Sequence, residues 1–482
     1  MAGKHFYITT TLPYVNAEPH VGFAMELIRA DVIARYKKLS GYNVFFNTGT
    51  DEHGQKLFEA AKKTGEGAQS YVDRLSEKYR ALLSLLGILP EVRFIRTTDH
   101  NHKKSAVLFW QKCLEAGFIY KKHYRVKYCV GCELEKTDSE LVDGRCPLHP
   151  NLEIEVREEE NYFFKFSEFQ KPLLNFYSKR PNFVIPESRF REIQNFVAGG
   201  LEDFSISRLT SKMSWGVPVP NDPEHVMYVW FDALVNYIST LGWPEGKDFS
   251  TYWQEGGEII QYCGKDNLRQ QAAMWQAMLM AANLPNSTSI VINGFITGGN
   301  GQKMSKSLGN VISPFNVVAG YGTDALRYFV TRELANFEDA DFTLERFREA
   351  YNANLANGLG NLVSRIIKMA TVNGVELSLE EKTATYYGPG HTSLFLDHFE
   401  LAKEMDDIWG AIKLLDKSIQ DNEPFKKIKT DPVGAKEEIN DLLRGLFRVA
   451  LRLEPFLPQT SVKIQTAIKE NKMPEPLFPR KE

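Results

Sequence analysis

Nowhere in the 482 residues is there an apolar run long enough to cross a bilayer. The most apolar helical stretch, Ala272 to Leu284, is interrupted by Gln276. The beginning, Met1-Ala2-Gly3-Lys4, leads straight into a strand pattern without the apolar core of a signal peptide, so a cytoplasmic protein is expected. Cysteine is scarce. Of five residues, three cluster with metal-ligand spacing and two (Cys113, Cys263) lie in apolar surroundings, which fits a reducing compartment better than a disulfide framework. Neither charge sign dominates. With 58 Lys+Arg against 61 Asp+Glu, wholesale attraction to polyanions is excluded, although a local basic patch is not. No Gly-x4-Gly-Lys-Ser/Thr stretch occurs, which argues against a P-loop NTPase. Internal repeats and low-complexity tracts are also missing.

What remains is long enough for two to four domains. Phe6-Tyr7-Ile8 reads as a buried strand and Val21 to Leu39 as a helix closed by Gly41. A second strand, Val44-Phe45-Phe46, is ended by Thr48-Gly49-Thr50. Helical periodicity follows from Leu57 to Leu86 and, with Asp99 as N-cap, from about His100 to Ala116. Alternating strands and helices predict a parallel sheet covered on both faces. From Tyr120 to about Asp222 short strands, turns and charge take over, which reads as an insertion. The β/α pattern resumes with a strand at Met227 to Phe231, then Ile259 to Tyr262, the helix Asp266 to Ala282, and Ser289 to Ile292. Beyond about Leu326 almost every apolar pattern has helical spacing, predicting a bundle, with Pro474 to Glu482 as a loosely held tail. The division is therefore 1–116, 117–226, 227–325 and 326–482, the first and third parts forming one sheet domain.

Two segments nearly three hundred residues apart, each after an apolar strand, read as halves of one nucleoside triphosphate site. In the first, His20-Val21-Gly22-Phe23 opens a helix. His20 can donate to a phosphate oxygen and Gly22 lets a purine approach the backbone, although taken alone the short pattern better suits an incidental histidine at a helix start. In the second, Lys303-Met304-Ser305-Lys306-Ser307 sits among glycines. Its lysines can close over a triphosphate and neutralise charge developing on leaving pyrophosphate. A third signal stands apart. Cys129-x2-Cys132, thirteen residues, then Cys146-x2-His149 has the spacing of a structural tetrahedral Zn2+ site, with Gly131 and Gly144 placed for knuckle turns.

Taken in order, these motifs resemble the class I aminoacyl-tRNA synthetases, and more closely the methionyl-tRNA synthetases. The resemblance spans essentially the whole chain. It runs through Leu12-Pro13-Tyr14, Thr50-Asp51-Glu52-His53-Gly54, the cysteine knuckle and Trp215-Gly216-Val217-Pro218. It continues through Tyr228-Val229-Trp230-Phe231-Asp232-Ala233, Gly264-Lys265-Asp266 and Lys303 to Ser307. It implies a Rossmann-like doubly wound sheet domain with an inserted zinc-knuckle connective domain and a C-terminal helical bundle. The activity it implies is ATP-dependent, with Mg2+: methionine is activated to methionyl-adenylate and transferred to tRNA(Met). A monomer is expected.

By the same resemblance His20, Lys303 and Lys306 are catalytic, and Gly22, Phe23, Gly264, Asp266, Met304, Ser305 and Ser307 bind ATP. Leu12, Tyr14, Asp51, Trp230, Ala233, Tyr237, Asn267, Gln271 and Trp275 hold methionine. Asp51 supplies the charge for the α-ammonium, and the aromatic residues supply sulfur contacts; Trp275 alone would suit a core position equally. Asn361, Arg365 and Phe425 are the implied anticodon contacts, and Lys426, Lys427 and Lys429 could add phosphate contacts. Without the resemblance, Asn361 and Arg365 read as a solvated helix face. The chain departs from the family at Phe23 (usually a second histidine), Asn267 (aliphatic), Gln271 (histidine) and Phe425 (tryptophan). Another class I synthetase, a small adenylyltransferase and a non-catalytic tRNA-binding paralogue are the alternatives. The first would carry a larger editing insert for Leu, Ile or Val than the about a hundred residues present.

Overall fold

The computed structural model describes residues 4–132, 134–136, 140–302, 304 and 310–482. Its centre is a six-stranded sheet built from β1 (His5–Thr9), β2 (Asn43–Thr50), β3 (Arg93–Arg96), β4 (Val184–Ile185), β5 (Glu258–Gly264) and β6 (Ser289–Asn293). The order is β3-β2-β1-β5-β6-β4, and every neighbouring pair is parallel. The chain winds outward from β1 to β3 and later returns to lay β5 against the other side of β1. Between β1 and β5 the winding reverses, and a ligand crevice opens beyond the strand ends at such a point. β1, β5 and β6 are buried along nearly their whole length and carry continuous apolar runs at their centres, as two-sided burial demands.

Helix α1 (Val21–Leu39) is buried almost all round, including Glu26, Arg29, Asp31 and Lys37. One side packs on the sheet and the other on the C-terminal helices, in one continuous apolar core. Arg29 donates to the carbonyls of Val330, Leu334, Ala335 and Asn336 and to Asn293 Oδ1 at 2.8–3.2 Å. Asp31 pairs with the buried Arg327 at 2.8 Å. Arg327 in turn donates to the carbonyls of Pro455 and Phe456 between the last two long helices. The charges of Arg29, Asp31 and Arg327 are tolerable inside because each is bonded several times over.

Several expectations need correction. The second strand runs on through Thr50, because Gly49 serves close strand approach: a Cβ there would sit 1.8 Å from the Ile95 carbonyl oxygen. The predicted helix 57–86 is two helices, Gln55–Thr64 and Ala68–Leu85, broken where Gly65 adopts φ 73°. Instead of a strand at Met227 to Phe231, an antiparallel strand Asp222–Met227 gives way to a helical turn, Val229–Ala233. The tail docks firmly. Phe478 is buried against Tyr351, and Asn352 exchanges two hydrogen bonds with the backbone of Lys481 at 2.7 and 3.0 Å. Strand β4 comes from the segment read as an insertion, and pairs Val184 and Ile185 with Ile290 and Val291 of β6. Among the described residues no helix is long and apolar enough to cross a membrane.

Candidate functional site

The crevice between β1 and β5 is lined by the segments that leave those strands. After β1 the chain stays extended to Tyr14, which bridges to Asp51 just beyond β2; Asp51 N–H donates to the Pro13 carbonyl at 3.0 Å. His20 then caps α1, its Nδ1 accepting from Gly22 N–H at 3.0 Å. Gly22 is required here, since a Cβ would lie 2.7 Å from the imidazole Cε1. With Nδ1 occupied as an acceptor, the neutral ring carries its hydrogen on Nε2, as an outward donor. Crowding out of water lowers the His20 pKa even though one edge of the side chain stays exposed, so the neutral form prevails.

The segment that follows the second predicted half, from Asn310 on, meets the first half at this cap. The Val21 N–H donates to the Ile312 carbonyl at 3.1 Å, and the half-buried Met304 packs against the core that contains Val21. Lys303, Ser305, Lys306 and Ser307 lie outside the described residues. Phe23 is half-buried, with its ring edge-to-face on Tyr79 at 5.4 Å. Gly264 ends β5 and Asp266 follows it, and a Cβ on Gly264 would lie 2.7 Å from Asp266 Oδ1. Asn267 Nδ2 donates to Asp266 Oδ1 at 3.2 Å.

The predicted amino-acid pocket adjoins this cleft. Leu12, Asp51, Ala233, Tyr237, Gln271 and Trp275 are buried; Tyr14 and Trp230 are half-buried. Gln271 Nε2 donates to the Tyr237 hydroxyl at 2.5 Å, and Trp275 lies inside against Tyr237 and Phe109. Three residues unassigned from sequence hold the pocket together. The buried Asp232 carboxylate accepts from His53 Nδ1 at 2.6 Å and His102 Nε2 at 2.8 Å, joining the β2 end, the helix His100–Glu115 and the Trp230–Ala233 turn. Burial would raise its pKa, but the two histidines outweigh that and hold it well below the usual carboxylate range. Glu26 was also missed. Its Oε1 accepts from Thr11 N–H at 2.6 Å behind the β1 end, and burial, with Asp266 adding to it against the Thr11 bond, pushes its carboxyl up to about 8. A carboxylate six residues past His20 on the buried side of an apolar helix was the available signal.

Comparison with known proteins fits this geometry. The family described as tRNA synthetases class I (M) matches residues 6–153 and 149–367. The methionine–tRNA ligase of Thermosynechococcus vestitus is 41% identical over 483 residues, covering 95% of this chain and 89% of its own length. That of Thermotoga maritima is 40% identical over 478 residues, with 95% and 74% covered. The chain belongs to the class I tRNA synthetases of the methionine type. A solved structure of Mycobacterium tuberculosis methionyl-tRNA synthetase bound by methionyl-adenylate superposes with a TM-score of 0.87 at 32% identity, covering 99% of both chains.

In this class I synthetase the knuckle of the insertion is assembled as its spacing predicts. The ligand atoms of Cys129, Cys132, Cys146 and His149 all lie within 4.8 Å of one another, and His149 turns Nδ1 to Cys132 Sγ at 3.2 Å. Gly131 allows this closure, because a Cβ would come within 2.5 Å of the His149 ring. Three thiols and an imidazole converging without carboxylates suit Zn2+ with no open position. The synthetase's helical part carries Asn361 and Arg365 on the helix Asn361–Asn373. Arg365 is held by Asp416, whose other oxygen accepts from Gln420 at 2.6 Å. Phe425 is 47% exposed on the short helix Pro424–Lys427 that follows.

Proposed function

We propose that the chain activates L-methionine with ATP and passes the methionyl group to the 3′ end of tRNA(Met). A methionine carboxylate oxygen attacks the α-phosphorus, the bond to the bridging oxygen breaks, and pyrophosphate leaves with the electron pair. The terminal adenosine hydroxyl of the tRNA then attacks the activated carbonyl and AMP departs. The observation that carries this reading is the Val21–Ile312 hydrogen bond, which sets the segment following the lysine loop against the His20 cap. That juxtaposition supports one triphosphate, taken with its Mg2+, being gripped by His20, Lys303 and Lys306.

In this reading Asp51 pairs with the α-ammonium while Leu12, Tyr14, Trp230, Ala233, Tyr237, Gln271 and Trp275 enclose the side chain. Gly264 and Asp266 contact the ribose, and Asn361, Arg365 and Phe425 read anticodon bases. Amino-acid-dependent ATP–pyrophosphate exchange with all twenty amino acids tests it: methionine is expected to support exchange best, and preference for any other amino acid overturns the assignment.

The knuckle residues fit Zn2+, which would tie the two turns of the insertion together. Metal analysis of the purified protein is expected to find about one equivalent of zinc, lost in Cys132→Ala; less than about half an equivalent counts against it.

A further inference from the structure

Behind the amino-acid pocket, Gln271 is backed by buried polar side chains that none of the roles above explains. Gln261, Gln271, Gln276 and Ser287 are all essentially inaccessible to solvent. Gln276 Oε1 accepts from the backbone N–H of Ser287 at 3.2 Å and from Asn286 Nδ2 at 3.1 Å, while its Nε2 donates to the backbone carbonyl of Gln271 at 2.9 Å. A main-chain N–H can only donate and a main-chain carbonyl only accept, so this amide has one orientation. The polarity then propagates. The second Nε2 hydrogen of Gln276 goes to Ser287 Oγ at 3.2 Å, and Ser287 sends its single hydrogen to Gln261 Oε1. Gln261 is thereby turned to donate from Nε2 to Gln271 Oε1 at 2.8 Å, which leaves Gln271 Nε2 facing the Tyr237 hydroxyl at 2.5 Å.

Tyr237 thus accepts a hydrogen from behind. Burial raises its own pKa, so the phenol keeps its proton. Gln271 and Asn236 both reach the Tyr237 oxygen, so the O–H is left to point to its remaining side. We propose that Gln261, Gln276 and Ser287 are positioning residues for amino-acid selection: their backbone-anchored relay keeps the Tyr237 O–H aimed into the slot, where a thioether sulfur can accept it. A methylene in the sulfur's place cannot. The inference rests on the pocket reading above, in which Tyr237 lines the methionine site. The relay matters in this chain because residue 271 is an amide, whose two ends differ and must be told which way to face.

The test compares kcat/KM for L-methionine with that for L-norleucine, its methylene isostere, in pyrophosphate exchange. In Gln261→Met, which keeps side-chain length but removes both amide ends, Gln271 is free to turn and take the Tyr237 hydrogen. The methionine-to-norleucine ratio is expected to fall by about tenfold, through a higher methionine KM with kcat and norleucine kinetics unchanged. Ser287→Ala deletes one buried hydroxyl and should lower the ratio by about threefold; it decides the matter if Gln261→Met does not fold. Tyr237→Phe serves as the reference and should lose as much discrimination as Gln261→Met. If Tyr237→Phe discriminates like the parent, the pocket reading itself is wrong. If Tyr237→Phe loses discrimination while both relay variants keep it, or if relay variants lose both substrates equally, the relay is overturned and the pocket reading stands.

Discussion

Replacing His20 with alanine is expected to slow methionyl-adenylate formation by about 10²–10³-fold while leaving the methionine KM nearly unchanged. The argument is geometric. With Nδ1 occupied by the Gly22 N–H, the imidazole has one donor left, Nε2–H, at the helix cap whose Val21 N–H bonds the segment that follows the lysine loop. A donor fixed in advance where negative charge grows contributes to the transition state far more than to the ground state. Alanine also removes the helix cap, at a cost of about 1 kcal/mol, so His20→Asn is the control: it keeps a capping oxygen but shortens the reach of the donor. A rate near the parent's in both variants would remove His20 from the reaction. The pH dependence follows from the lowered pKa. The neutral ring is the form that accepts from Gly22, so the His20 contribution is expected to be level above pH 6.5 and to decline only on the acid side.

Asp232→Asn is expected to lower unfolding free energy by about 3–5 kcal/mol, read from the denaturation midpoint and slope. The carboxylate accepts from two buried histidines at once, and an asparagine can accept from only one while turning an N–H2 toward the other. The loss would be felt in the pocket first, because Asp232 lies between Trp230 and Ala233 and its partner His53 lies two residues after Asp51. A parallel rise in methionine KM is therefore expected under conditions where the variant remains folded. The sign with pH is set by the depressed folded pKa. The stabilisation is present above the unfolded value of 3.8 and is lost as the pH falls through the lower folded value. An unchanged midpoint in the variant would show that the neighbouring packing, and not this charge, holds the three segments together.

How much of this could be read in advance depended on the range of the signal. Helix α1 was legible to its bounds because Pro19-His20 opens it and Gly41 follows it, and β1, β5 and β6 were legible because each carries a short continuous apolar run (Phe6 to Ile8, Ile259-Ile260, Ile290 to Ile292), as strands buried on both faces do. Strand β4 was not, since two residues carry no period. The run Val229-Trp230-Phe231 has strand composition but forms a helical turn, because it must present Trp230 and Ala233 on one side and Asp232 on the other. The docked tail depends on the buried Phe478 and on Tyr351 and Asn352, far upstream, which bond its backbone. In the site, the pocket residues were legible through motif order. Their supports were not: His53 and His102 are 179 and 130 positions from Asp232, and no local pattern links them. Nor does anything local pair Gln261 with Gln271, or assign Glu26 to the backbone of Thr11.

The bond from Val21 to Ile312 joins main chain to main chain. Side-chain replacement alone therefore cannot sever it, and at position 21 only proline would delete the donor. Lineages or engineers can rewrite the lysine-bearing stretch residue by residue and its downstream foothold will stay where it is. What such changes alter is the chemistry delivered from that foothold, not its address.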